Sequence, residues 1–415
     1  MPDLPVALDA ETRARLIATL ARRFGDIDLA EDSLHEAVLQ AMRTWPESGE
    51  PDSPVAWLTT VAKRKALDVV RREDVLARKI AELHIEQGRP AGDDPVGDAV
   101  GEGKADRDDR LAMLVACSHP ALTPSDRVAM TLRFAAGRDT RVVADLLLLP
   151  VSTLQQRIVR AKKRIRALGI SFAVPDGDVL AERLDSVLKV IYLIYTDGFA
   201  RSTGQDHVQD DLTAEALRLA RLVQRLEPDS AEATGLLALL LLTEARRPAR
   251  LTFDGLPVPL EHQDRTRWDG PLKAEGLILA ERAAGMPGAR TYAIQAAIAA
   301  VHAEALTFAD TDWRQIAVLY RLLGKYESGP AVQLATVVAV GRTEGPRRGS
   351  ELLGELAGER AFDDYRPFHV ARAVTYRELG DHRSAAAAYR RALELPGNDA
   401  EDLVLADMLS EVTRA

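Results

Sequence analysis

With one cysteine, Cys117, in 415 residues, the chain has neither an internal disulfide nor a cysteine-cluster metal site. That scarcity fits a reducing compartment, and Cys117 is expected to be a small buried apolar residue. Apolar runs are short as well: none reaches the ~20 residues that a bilayer span needs. The opening MPDLPVALDAETRARL lacks both the basic end and the apolar stretch of a signal peptide, so a cytoplasmic protein with no membrane partner is expected. The eight histidines show no ligand spacing, which argues against a metal or other cofactor. Without a paired nucleophile and base or a phosphate loop, the chain does not read as an enzyme.

What is present is charge, unevenly placed. The formal net charge is −9, yet residues 1–172 carry equal numbers of acids and bases, so the whole acidic excess belongs to residues 173–415. Within the first part the basic residues are bunched, and bunching rather than the total sets the local potential that a phosphate backbone would feel.

The length implies two or three domains. From Arg13 to Trp45, the residues Leu16, Ile17, Leu20, Phe24, Leu29, Leu34, Val38 and Met42 recur at helical steps and predict two amphipathic helices. Residues 46–54 are dense in turn formers and predict a loop. Ser53 and Pro54 then open a helix through Val55, Trp57, Leu58, Val61, Ala62 and Leu67. The first domain is taken as residues 8–80. Residues 81–109, rich in acids and glycine, predict a flexible linker. A second helical domain follows over 110–170. From 175 to 415 alanine and leucine dominate with helical spacing throughout, so the fold class expected is all-α. In the last stretch, Tyr376, Leu379, Gly380, Ala385, Ala388, Tyr389, Ala392 and Pro396 follow tetratricopeptide spacing, one good repeat beside two degraded ones.

The strongest local signal is Thr140-Arg141-Val142-Val143-Ala144-Asp145-Leu146-Leu147, a break, and then Pro150 to Arg166. This reads as helix-turn-helix, with Ala144 small enough for two helices to cross closely. The second helix keeps Leu154, Ile158, Ala161 and Ile165 inward. Its other positions carry Arg157, Arg160, Lys162, Lys163, Arg164 and Arg166 with no acid, a phosphate-binding surface, while Thr153, Gln155 and Gln156 near its start are placed to meet base edges. A solvated basic face on a structural helix is the alternative. A second basic stretch accompanies Trp57: Lys63, Arg64, Lys65, Arg71, Arg72, Arg78 and Lys79, against Asp68, Glu73 and Asp74. An aromatic ring beside cations can stack on an unpaired base, and core packing of Trp57 is the equally weighted alternative.

The order of Asp28-Leu29-Ala30-Glu31-Asp32-Ser33-Leu34, a turn-rich loop, Trp57 to Asp68, a loose linker and a basic helix-turn-helix resembles bacterial extracytoplasmic-function sigma factors of RNA polymerase, over about residues 10–168. The resemblance implies that Asp28, Glu31, Asp32 and Glu36 dock on the clamp helices of the polymerase core's largest subunit, with the flap of the second largest as a further contact. It implies that the helix from Trp57 captures bases of the promoter −10 element, with Thr60, Lys63, Arg64, Lys65, Arg71 and Arg72 holding the strand. The helix from 150 to 166 would read the −35 element. Leu148 stands where this motif usually has glycine and Pro150 replaces the usual polar cap, departures that bear on the inter-helix angle and reading register. The Leu-Leu-Pro form and the long extension resemble the subgroup with a C-terminal tetratricopeptide-like domain, and Tyr192 to Phe199 and Gln263 to Asp269 match its typical stretches. That extension is expected to regulate or support the DNA-binding half, through a regulatory protein or ligand. A stand-alone helix-turn-helix regulator is the rival reading. The charged run Asp264, Arg265, Arg267 and Asp269 is expected to form ion pairs between helices.

Overall fold

The structure is a computed structural model, and it describes residues 8–83, 102–201, 208–253, 256–397 and 399–414. No helix among them is both long and apolar enough to cross a membrane. Among these residues the chain is all-helical, with one isolated bridge between Leu251 and Pro257 and no strand. It divides into two compact units, residues 1–193 and 194–415.

The first unit holds α1 (Ala10–Phe24), α2 (Ile27–Ser48), α3 (Pro54–Leu83), α4 (Glu102–Cys117), α5 (Pro124–Met130), α6 (Thr140–Leu146) and α7 (Val151–Ala167), and α8 (Gly177–Arg201) runs on into the second. Asp9 caps α1 by accepting from Thr12 N, and Asp26 caps α2 by accepting from Asp28 N and Leu29 N. The expected pair of amphipathic helices is therefore present. The loop expected at 46–54 is shorter, because α2 continues through Pro46 to Ser48 and turns only at Gly49, which has φ +83°. Proline is accommodated there because Trp45, buried beside it, anchors the last turn edge-on to Trp57, with ring centres 5.3 Å apart.

The linker expected over 81–109 falls largely on residues outside those described. Its two ends are helical: residues 81–83 close α3, and α4 begins at Glu102. Asp109, taken as linker from its acidic surroundings, is buried and accepts a hydrogen bond from Arg22 at 3.0 Å. The helices on either side of residues 84–101 pack as one body. Further pairs join them: Arg110 with Glu11 at 2.8 Å, and Arg13 with Asp139. Gly137, at φ +72°, lies so close to α1 that a Cβ there would stand 1.9 Å from the Ala10 carbonyl oxygen.

The second unit comprises α9 (Val208–Leu226), α10 (Ala231–Ala245), α11 (Arg247–Arg250), α12 (Gly270–Gly285), α13 (Thr291–Glu304), α14 (Trp313–Leu323), α15 (Pro330–Glu344), α16 (Pro346–Leu356), α17 (Arg366–Glu378), α18 (His382–Glu394) and α19 (Asp399–Arg414). From α14 onward each helix packs on the next in sequence. Gly235 and Gly276 let α10 approach α13 and α12: a Cβ on Gly235 would meet the Ala293 backbone at 2.5 Å, and one on Gly276 the Leu242 side chain at 2.7 Å. At the last turn read from the sequence, Gly380 adopts φ +75° and Asp381 N bonds Tyr376 O at 2.9 Å, closing α17, while Ala385, Tyr389 and Ala392 are buried.

Candidate nucleic-acid interface

The axes of α6 and α7 turn by 109°, within the range of helix-turn-helix pairs. The turn is made by Leu148, the one non-glycine residue at positive φ (+53°) among those described. Leu149 N bonds Ala144 O at 2.9 Å and Leu154 N bonds Pro150 O at 3.1 Å, so a left-handed leucine and a proline carry the turn that glycine and a polar cap usually form. The departures from the motif leave the inter-helix angle ordinary. Ala144, Leu154, Ile158, Ala161 and Ile165 are buried, as their spacing requires.

At 3.6 residues per turn, the remaining positions of α7 fall on two flanks. One carries Thr153, Gln156, Arg157, Arg160, Lys163 and Arg164. All are exposed except Arg157, which is half-buried with its Nε 4.0 Å from Asp126 Oδ1. The other carries Gln155, Val159, Lys162 and Arg166. Gln155 is exposed, whereas Lys162 Nζ donates to Asp28 Oδ1 at 2.8 Å and Glu31 Oε2 at 2.5 Å. Arg166 Nη2 donates to Asp26 Oδ2 at 2.7 Å and Asp28 Oδ2 at 2.9 Å. The six cations of this helix are thus not one uncompensated surface: two of them are neutralised by α2 and its cap.

Glu31 is the centre of this contact. Beyond Lys162 it accepts from Arg133, a buried arginine that also donates to Thr140 Oγ1 at 3.1 Å, in a wide helical turn (Thr131–Ala135) after α5. Arg133 and Lys162 also lie over the Phe134 ring, at 5.1 and 5.0 Å. Burial lowers the Arg133 pKa against the pull of Glu31. For Lys162 burial acts the same way, but Glu31 and Asp28 outweigh it and hold the ammonium above its ordinary pKa. Of the four acids expected on the polymerase-facing side of α2, Asp28 and Glu31 are engaged within the chain. Asp32 and Glu36, one helical turn apart, are exposed and form no ion pair among the described residues. The engaging residues Asp26 and Arg133 escaped the sequence reading. Glu31 and Arg133 are 102 positions apart, and Lys162 and Asp28 134, so no local pattern signals them.

On α3, Trp57 is half-buried against Trp45, so part of the ring is core and part remains open. Thr60, Arg64, Arg71 and Arg72 are exposed, and Lys63 and Lys65 are half-buried. Among the described residues none of these five cations forms an ion pair; Arg72 Nε donates to the Asp68 carbonyl at 3.0 Å.

Residues 10–75 match the Sigma-70 region 2 family, and residues 183–284 match a family of unknown function. A protein of Rhizobium meliloti described as uncharacterized is 38% identical over 391 residues, which cover 94% of this chain and 91% of that one. The chain belongs to that protein's family. A probable ECF RNA polymerase sigma factor, SigI of Mycobacterium tuberculosis, is 28% identical over 170 residues, 39% of this chain and 54% of its own length. ECF RNA polymerase sigma factor SigK of Mycobacterium ulcerans is 28% identical over 156 residues, 37% of this chain and 80% of its own. No solved structure matches the chain. The N-terminal part is ECF sigma-factor-like, with the region 2 match falling on α1, α2 and most of α3.

Proposed function

We propose that this protein is a sigma factor that binds core RNA polymerase, recognises the −10 and −35 promoter elements and promotes melting between them. The observation that carries this reading is the exposed flank of α7, Thr153, Gln156, Arg157, Arg160, Lys163 and Arg164, presented at 109° to α6 in a chain whose first helices match region 2. That flank and Gln155 would enter the major groove of the −35 element, arginines to guanine edges and phosphates, glutamines to adenine. Trp57, with Thr60, Lys63, Arg64, Lys65, Arg71 and Arg72, would hold extruded bases and the strand of the −10 element.

Asp32 and Glu36 would make the first contact with the clamp helices of the largest polymerase subunit, and α5 to α7 would meet the flap of the second largest. Full docking requires Asp28 and Glu31 to exchange Lys162, Arg166 and Arg133 for polymerase cations. That exchange frees the inner flank of α7 as well. Residues 175–415 support or regulate this activity, and their removal would change promoter-driven transcription. The test is run-off transcription with purified bacterial core polymerase on fragments of the source genome. Discrete new transcripts that vanish with Arg160→Ala are expected. Duplex binding without any programming of core enzyme would overturn the reading and favour a stand-alone regulator.

A further inference from the structure

We infer that the second unit carries a binding site for a small oxyanion, a carboxylate or phosphate group, at Arg246 beside Trp268. The site is independent of the sigma reading of α1 to α7. Arg246 leaves the end of α10 half-buried, with its guanidinium carbon 5.4 Å from the Trp268 ring centre, and Arg265 approaches the same ring at 5.4 Å. Among the described residues no carboxylate pairs with Arg246. Its hydrogen bonds both go to the Gln263 amide oxygen, at 3.3 and 3.4 Å. Glu244, two residues earlier, is occupied by Arg247 and by the Tyr195 hydroxyl at 3.0 Å.

Arg265 likewise donates to neutral oxygens, the carbonyls of His302 and Ala305 at 2.7 and 2.8 Å and Thr311 Oγ1 at 3.0 Å, with Asp310 acting on it only through space among the described residues. Around these two cations stand buried polar atoms with no partner, Arg265 Nε, Trp268 Nε1 and His302 Nδ1. Burial, then Arg246 and Arg265, push His302 down to about 4, so it is a neutral imidazole able to donate a proton in a hydrogen bond. Buried or half-buried charges are ordinarily paired, because desolvation is otherwise uncompensated. A planar guanidinium fork against an indole, with unsatisfied donors about it, matches the geometry of a carboxylate or phosphate. Trp268 is 6% exposed while Arg246, Gln263 and Arg265 are half-buried, so the guanidinium groups stay within reach of a small anion although the indole is covered.

The test uses the full chain and three probes, inorganic phosphate, pyrophosphate and citrate, titrated against chloride at constant ionic strength. Thermal melting and tryptophan fluorescence are followed together. At least one probe is expected to act saturably, raising the midpoint by about 3–5 °C at tenfold its Kd. Arg246→Met should abolish both responses, while Arg267→Ala, an exposed neighbour, should keep them. If Arg246→Met loses its helical circular dichroism, Arg246→Lys carries the test, with at least a tenfold weaker Kd expected. No saturable response to any probe, or an equal response in the Arg246 variants, overturns the site.

Discussion

The two units treat their buried cations differently. In the first, Arg133 and Lys162 are sealed against Glu31 and Asp28, carboxylates from the far end of the sequence segment. In the second, Arg246 and Arg265 sit around an indole with amide, carbonyl and hydroxyl oxygens as acceptors. The first arrangement pairs each cation with a carboxylate, so freeing it requires another charge to take its place. In the second, no carboxylate among the described residues forms an ion pair with either arginine, and the proposed anion would supply one.

The contrast is sharpest at Glu31. Glu31→Ala would leave the buried Arg133 without its carboxylate and Lys162 with Asp28 as its remaining partner, and a loss of about 3–5 kcal/mol in urea unfolding is expected for the first unit. A loss below about 1 kcal/mol would mean that the contact is not held in solution. Next in size is Gly137→Ala, which would drive a methyl into the Ala10 carbonyl and force a left-handed backbone on alanine. A loss of about 2–3 kcal/mol is expected by the same measurement.

The second unit's side of the comparison is read by pH. His302 is neutral when folded, with its pKa lowered to about 4 by burial and by Arg246 and Arg265, from 6.5 in the unfolded chain. The unfolded state therefore binds the extra proton between these values. Stability from this residue is complete above pH 6.5 and is lost as pH falls toward 4. His302→Gln should remove on the order of 1–2 kcal/mol of that pH dependence, seen as a smaller fall in melting midpoint between pH 7 and 4.5. The smallest effect is at Leu148, whose left-handed conformation and 60% exposure mean that glycine would fit with less strain. Leu148→Gly should stabilise by about 0.5–1 kcal/mol in melting experiments, and destabilisation would show that the side chain packs somewhere.

Much of this was legible in the sequence. Helical spacing at Leu16, Leu20 and Leu34, and at Leu154, Ile158, Ala161 and Ile165, reports which faces are buried, because burial is what that periodicity encodes. The Thr140–Arg166 motif identified the helix pair and its basic character. What periodicity cannot carry is azimuthal partnership. Nothing near Lys162 says that its counter-charges lie on α2, so six like charges read as one surface when two of them pair with α2 and its cap. The stretch Gln263–Asp269 failed in another way. Its charges suggested ion pairs between helices, but Asp264 accepts from Thr266 N at 2.9 Å, Asp269 caps α12 through Leu272 N at 2.9 Å, and Arg265 binds carbonyls. Charged residues used as caps and carbonyl clamps look, in sequence, like salt bridges. Pro46 misled more simply, since a proline within a run of turn formers suggests a stop that the buried Trp45 overrides.

The half-open seam between α2 and α7 also bears on how the protein would respond to its ionic surroundings. Arg166 and Asp28 are accessible enough for dissolved salt to weaken their attraction, which loosens the inner flank of α7. The outer flank would grip phosphates by displacing counterions, a grip that fades steeply as salt rises. On the proposed reading, one helix would carry two opposed salt dependences, release on one side and detachment on the other. Binding of DNA by this helix should therefore fall less steeply with salt than the phosphate contacts of the outer flank alone would dictate, as a titration of affinity against salt would read.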